Sequence, residues 1–231
     1  MTALRLFGGG TRASVIVDFV RWRLADRFEL QGFYDDNPSA GGALGIPRLG
    51  DVADGLRDMN GGDGAAVLAL GTYASWRACE LLHELRRRRV PVASLVSPMA
   101  SISPSAEIGP GALILDGVFI GARARIGALL TANALAIIEH DTTLGHNVML
   151  GSGAAIAGFA HIEDHCFIGT NATVLPKVVV GSGTLLAAGS TASRDLPAGV
   201  IAVGAPAKTQ RSVGEGDEVP TSARISVLPR P

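Results

Sequence analysis

From Ile102 onward every sixth residue is aliphatic or small: Ile108, Ile114, Ile120, Ile126, Ala132, Ile138, Leu144, Leu150, Ile156, Ile162, Ile168, Val174, Val180 and Leu186. Fourteen of these 15 positions are Leu, Ile or Val, and the phase never slips between Ile102 and Leu186. The next position is often glycine (Gly109, Gly121, Gly127, Gly145, Gly151, Gly169, Gly181), and the fifth is usually small or β-branched. A period of six predicts a parallel β-helix, in which each rung is a short strand plus a corner. Three such rungs close one triangular coil, with the aliphatic side chain inside. Coils stack at about the ~4.8 Å strand spacing. Glycines and small residues are expected to let the chain turn each corner.

Before residue 100 the pattern is different. Leu4–Phe7 is a short apolar run ending in Gly8-Gly9-Gly10, and Val15, Ile16, Phe19, Val20 and Leu24 then recur at helical spacing. Leu30–Tyr34 reads as a second strand, stopped by Asp35-Asp36-Asn37-Pro38. Val67–Leu70 is a third strand, Tyr73–Arg88 a helix and Val90–Val96 a fourth strand. Such alternation predicts a small α/β domain with a parallel, Rossmann-like sheet. Residues 1–101 carry 23 charged side chains and residues 102–191 only nine, as expected of two folding units with different packing rules. We place the first unit at 1–98, the β-helix at 99–211 and a flexible tail at 212–231.

Composition sharpens this picture. The chain has 231 residues, 47% hydrophobic and 5% aromatic, with 30 glycines and a net charge of −1. The apolar content and low charge exclude bulk disorder. Near-neutrality also argues against nucleic-acid binding, and the Arg86–Arg89 run reads as the solvated end of a helix. No apolar stretch reaches the ~20 residues needed to cross a bilayer, and no secretory signal is recognised. Cys79 and Cys166 match no zinc or redox spacing. We expect a soluble, cytoplasmic protein.

The stretches "LFGGGTRASVIVD", "GFYDDNP", "GIPRLG", "SPMASISPSAEIG", "IIEHDTTLG" and "LPAGVIAVGAPAK" resemble the PglD/NeuD-type sugar acetyltransferases, hexapeptide-repeat enzymes with a left-handed β-helix. The resemblance spans roughly residues 3–211 and keeps the family's motif order. It implies a nucleotide-sugar-binding α/β domain joined to a left-handed parallel β-helix, working as a homotrimer with acetyl-CoA as acyl donor and no metal. It further implies that His140 is the general base, with Asp141 holding its imidazole and Asn133 at the family's asparagine position. Imidazole suits that role because it titrates near neutrality. Acetyl-CoA is implied to run past Gly158, Thr170 and Ala188. Gly158 lies three rungs beyond His140 and so one coil above it, although a glycine there could equally just turn a corner. The nucleotide sugar is implied at Gly8, Gly9, Gly10, Asp35 and Asp36, where backbone N–H groups at a helix start attract phosphate.

The chain departs from the family in three places. Thr11-Arg12 follows the glycine turn where a histidine is usual, Met149 replaces a second histidine, and Ser97-Pro98-Met99-Ala100 replaces "HPSA". These leave open the acceptor sugar, its handling and the level of activity. The preferred reaction is N-acetylation of a nucleotide-linked amino sugar. O-acetylation of a sugar such as sialic acid and a non-catalytic sugar-binding trimer are the alternatives. His161 and His165 lack the spacing of a β-helix zinc site, and His146 reads as a surface residue. A dehydrogenase is excluded because four strands give only one mononucleotide-binding half.

Overall fold

The computed structural model describes residues 1–42, 44–59, 64–70 and 76–214. The described residues form two compact units that divide between Leu95 and Val96.

The first unit is a four-stranded parallel sheet in the order β3-β2-β1-β4. It comprises β1 (Thr2–Phe7), β2 (Phe28–Tyr34), β3 (Arg48–Gly50) and β4 (Ala65–Leu68). Three helices accompany it: α1 (Thr11–Arg23), α2 (Val52–Asp58) and α3 (Trp76–Arg87). Helix α1 buries Ala13, Ile16, Val17, Phe19 and Val20, following the helical period of the sequence. The arginine run at the end of α3 is partly occupied by ion pairs, with Arg87 and Arg88 both reaching Glu84. Residues 73–75 of the helix expected over Tyr73–Arg88 lie outside the described residues.

Two elements differ from expectation. Strand β3 and helix α2 escaped the pattern because they are too short to show a period. The signal available for α2 was its capping box, in which Asp51 accepts from the Asp54 N–H at 2.7 Å and Asp54 accepts from the Asp51 N–H at 3.0 Å. Conversely, Val90–Val96 does not form one strand. It makes an isolated bridge from Val92 to Ala66, then the two-residue β5 (Leu95–Val96). Pro91 has no N–H to extend the ladder.

The second unit is the left-handed parallel β-helix. Sixteen two-residue strands run from β6 (Ser101–Ile102) to β21 (Thr191–Ala192) and fall on three parallel sheets. Each residue pairs with its counterpart one coil on, as in Ile138↔Ile156, Leu144↔Ile162 and Leu150↔Ile168. From Ile114 to Leu186 the every-sixth-residue column is buried. A second column of small side chains, including Ala112, Ala124, Ala136, Ala154 and Ala160, fills the space beside it. This narrow bore explains the scarcity of aromatic residues. β22 (Val200–Gly204) adds to the helix in parallel and β23 (Ala207–Ser212) returns antiparallel along it. The Val213 N–H donates to the Gly199 carbonyl. Order therefore continues through residues 212–214, past the expected start of the tail. Residues 215–231 lie outside the described residues.

Burial in this bore gives a direct test. Ile156 is fully buried, and Ile156→Ala should lower unfolding free energy by about 2–5 kcal/mol through lost transfer energy and a residual cavity. Urea unfolding followed by circular dichroism measures it, and a loss well below that range would contradict the packing described.

Candidate active site

The corner carrying His140 is built by the coil register. Arg123, Asp141, Phe159 and Lys177 recur there once per coil, all left-handed with φ between 58° and 64°. The residues just before them include His140 and Gly158. The glycines that mark the sequence period play a different part from the one expected. At Gly121 an added Cβ would lie 2.6 Å from the His140 backbone nitrogen, so the glycine permits close approach of the next coil. The turn itself is made two residues later, by Arg123.

His140 and Asp141 are brought together as expected of the pair. The imidazole Nδ1 lies 2.8 Å from Asp141 Oδ2, and the His140 side chain is 48% exposed. Gly158 lies directly against the ring: a Cβ there would be 2.9 Å from both Nε2 and Cε1. It is thus a close-approach glycine, and the left-handed residue of its corner is Phe159. The Phe159 ring meets the imidazole edge to face, with centroids 5.2 Å apart.

Sequence reasoning missed Arg123. Its Nε donates to Asp141 Oδ1 at 2.6 Å and its Nη2 to Asp141 Oδ2 at 2.7 Å. These bonds first, and the His140 contact second, hold the Asp141 carboxyl well below the usual carboxylate range. No motif flags this pair, because a full coil of chain separates the partners. The coil register, once recognised, was the available signal.

Asn133, Thr170 and Ala188 are not brought to His140 within the chain. They lie on the adjacent corner, beyond one sheet of two-residue strands that includes β12 (Ile137–Ile138) and β15 (Ala155–Ile156). The Asn133 side chain donates to the Leu150 carbonyl at 2.9 Å. Thr170 and Ala188 stack one coil apart, beside the close-approach glycines Gly151 and Gly169.

In the first unit the glycine turn and the acidic pair do meet. Asp35 Oδ2 accepts from the Gly9 N–H at 2.6 Å, and its Oδ1 accepts from the Asn37 N–H at 2.8 Å. Gly8 has φ 114°, and a Cβ there would strike the Ala69 carbonyl oxygen at 2.6 Å. Gly10, the N-cap of α1, faces open space. Asp36 turns elsewhere: it accepts from the Val52 N–H at 3.0 Å and pairs with Arg77, contacts that hold it below the usual carboxylate range.

The remaining histidines are not arranged as one site. His161 is exposed on β16 (His161–Ile162), whereas His165 is 1% exposed. His146 is buried, contrary to the surface reading, because its Nδ1 accepts from the Ala128 N–H at 2.9 Å across the coil stack. Among the described residues no group of three His, Cys, Asp or Glu side chains could hold a metal. Burial pushes the Cys166 thiol up to about 12, which leaves it un-ionised near neutrality.

Comparison with known proteins adds the decisive observation. Residues 159–193 match the family model of the bacterial transferase hexapeptide, six repeats. The solved structure of PerB from Caulobacter crescentus, in complex with CoA and GDP-perosamine, is 31% identical. The alignment covers 91% of this chain and 98% of that one, with a TM-score of 0.81. The chain belongs to the PglD/NeuD-type sugar acetyltransferases. It is an acyltransferase of this family, whose solved members pair with CoA or acetyl-CoA. A further similar structure is the acetyltransferase domain of PglB from Neisseria gonorrhoeae with acetyl coenzyme A: 26% identity, 90% and 98% coverage, TM-score 0.81. Among curated relatives, a 2,3,4,5-tetrahydropyridine-2,6-dicarboxylate N-acetyltransferase of Clostridium perfringens is 43% identical over 72 residues. That match spans 28% of this chain and 30% of the relative's length.

Two outcomes follow for the site of this acetyltransferase. Gly158→Ala should displace the imidazole and cut turnover at least tenfold, because a misplaced catalytic group loses its positional advantage; thermal unfolding should change little. A steady-state assay beside a melting curve measures both. Asp141 has a depressed folded pKa, so its stabilisation is present above the ordinary carboxylate value of 3.8 and is lost as pH falls toward the folded value. Wild type and Asp141→Asn should therefore differ in melting temperature by no more than a few degrees at neutral pH, because so exposed a pair adds little, and converge in strong acid.

Proposed function

We propose that this acetyltransferase moves the acetyl group of acetyl-CoA onto the amine of a nucleotide-linked amino sugar, with His140 as general base. The observation that carries this reading is the His140–Asp141 pair packed on Gly158, in a chain 31% identical to a sugar-bound, CoA-bound relative across 98% of that relative. The same Caulobacter enzyme has been solved with a single histidine replaced by alanine, with CoA and GDP-perosamine bound, which supports a histidine at this centre.

In this mechanism an ionised Asp141 can only accept a hydrogen bond, so Nδ1 bears the imidazole proton and Nε2 keeps a lone pair. The acceptor nitrogen attacks the thioester carbonyl, forming the N–C bond as Nε2 removes its proton. The C–S bond then breaks, and the proton passes to the departing thiolate to give CoA-SH. No covalent enzyme intermediate is required, because an oriented amine attacks a thioester directly. The nucleotide sugar is assigned to the glycine turn Gly8, Gly9 and Gly10; since the Gly8 and Gly9 N–H groups donate to the Tyr34 carbonyl and to Asp35, its phosphates are assigned to the helix start from Gly10 onward. Asp36 contributes through α2 and Arg77.

The pantetheine arm is assigned to pass the His140 ring where it packs on Gly158, and Thr170 and Ala188 complete the acetyl-CoA site. Because those two residues and Asn133 occupy the next corner, a homotrimer is proposed to set one subunit's corner against another's. The buried thiols of Cys79 and Cys166, joined in no disulfide, suit a reducing, cytoplasmic setting.

The test incubates the protein with acetyl-CoA and a panel of UDP-, GDP- and dTDP-linked 4-amino sugars, following thiol release. His140→Ala should lower kcat/KM by about 10²–10⁴-fold, the usual contribution of a general base. Unchanged turnover in His140→Ala, or no turnover with any amine acceptor, would overturn the reading.

A further inference from the structure

We propose that Arg123 is a positioning residue of this acetyltransferase, one that fixes the tautomer and orientation of His140 through Asp141. The inference rests on His140 being the base and adds a third member to its relay. Arg123 and Asp141 hold the same place on successive coils, both left-handed at φ 58°, so their side chains leave the same corner side by side. The guanidinium engages the carboxylate with two parallel hydrogen bonds of 2.6 and 2.7 Å. This fork geometry is one that lysine cannot reproduce. Asp141 Oδ2 is shared, taking Arg123 Nη2 on one side and facing His140 Nδ1 at 2.8 Å on the other. The Arg123 backbone is itself anchored, since its N–H donates to Ser105 Oγ at 3.1 Å.

The Arg123 side chain is 65% exposed, and ion pairs this open add little to stability. What the fork supplies is geometric. A carboxylate on an exposed corner can rotate and exchange its partners for water. Clamped by both oxygens, it offers Nδ1 one fixed acceptor, and the Nε2 lone pair is then aimed by the ring itself. Other charged or titratable groups on the adjoining rungs are Glu139 before the base, Arg125 and His161 on the neighbouring strands, and Lys177 two coils on. Gly158 and Phe159, which pack on the ring, carry no charge.

The test uses full-length protein labelled with nitrogen-15 histidine, so that the His140 ring is observed without any acceptor sugar. Wild type should show the Nδ1–H tautomer. Arg123→Ala should show mixed tautomers, because the carboxylate is then free to turn. Arg123→Lys, which returns the charge without the fork, should not return the single tautomer. With an acceptor that turns over, Arg123→Ala should lower kcat/KM about five- to tenfold, a fraction of the general-base contribution. In the Asp141→Asn background the same substitution should change it less than about twofold, because Arg123 then has nothing to act through.

A single Nδ1–H tautomer retained in Arg123→Ala or in Arg123→Lys, or full additivity with Asp141→Asn, would overturn the proposal. Wild-type turnover in His140→Ala would instead remove the base reading on which it rests, so the two failures are distinguishable.

Discussion

The pairing of each residue with its counterpart one coil on is the constraint from which the rest of the β-helix follows. Parallel hydrogen bonds between coils keep that register over sixteen short strands, and a slip of one residue would turn every aliphatic side chain outward. Once the register holds, each sequence position becomes a column. The aliphatic column closes the bore, the small-residue column fills its remaining space, and the glycine column lets adjacent coils come together. Catalytic geometry inherits the same rule. Gly158 lies one coil beyond His140 and packs on its ring, and Gly121, one coil before Glu139, packs beneath the His140 backbone.

The corner is where this rigid lattice meets solvent. Left-handed residues there stand out from the coil, so Arg123, Asp141 and Phe159 form a row along one edge. A charge pair so exposed contributes little to folding, yet the backbone beneath it is held by hydrogen bonds to the coils on either side. Such a scaffold lets weak side-chain interactions define direction, which is what an acid–base centre needs from its supporting groups. The first unit uses another device. There the Gly8 and Gly9 N–H groups are taken by the Tyr34 carbonyl and by Asp35, and Gly10 stands open at the start of α1.

The β-helix, its length and the buried identity of each sixth residue were legible in the sequence, because every coil must solve the same packing problem and so repeats the same side chain. The His140–Asp141 pair and Gly158 were legible for a related reason: adjacency in sequence and a spacing of one coil both translate directly into contact. Arg123 was not, since its role needs a particular rotamer reaching across from the neighbouring coil. Strand β3 and helix α2 were too brief to show a period, and Pro91 cut short a strand that the apolar pattern favoured.

Two assignments changed once the chain was seen folded. The glycines after each aliphatic residue proved to be positions of close approach, with the turns made by residues as bulky as Leu135 and Phe159. His146 proved buried, its imidazole taking a hydrogen bond from the coil below. By itself the sequence determined the architecture, because that depends on which side chain recurs where, and its motifs pointed to the class of chemistry through their resemblance to a known family. The tertiary structure alone decided which groups support the base and which stand on another corner. Those relations depend on side-chain reach and direction between coils, which periodicity leaves unspecified.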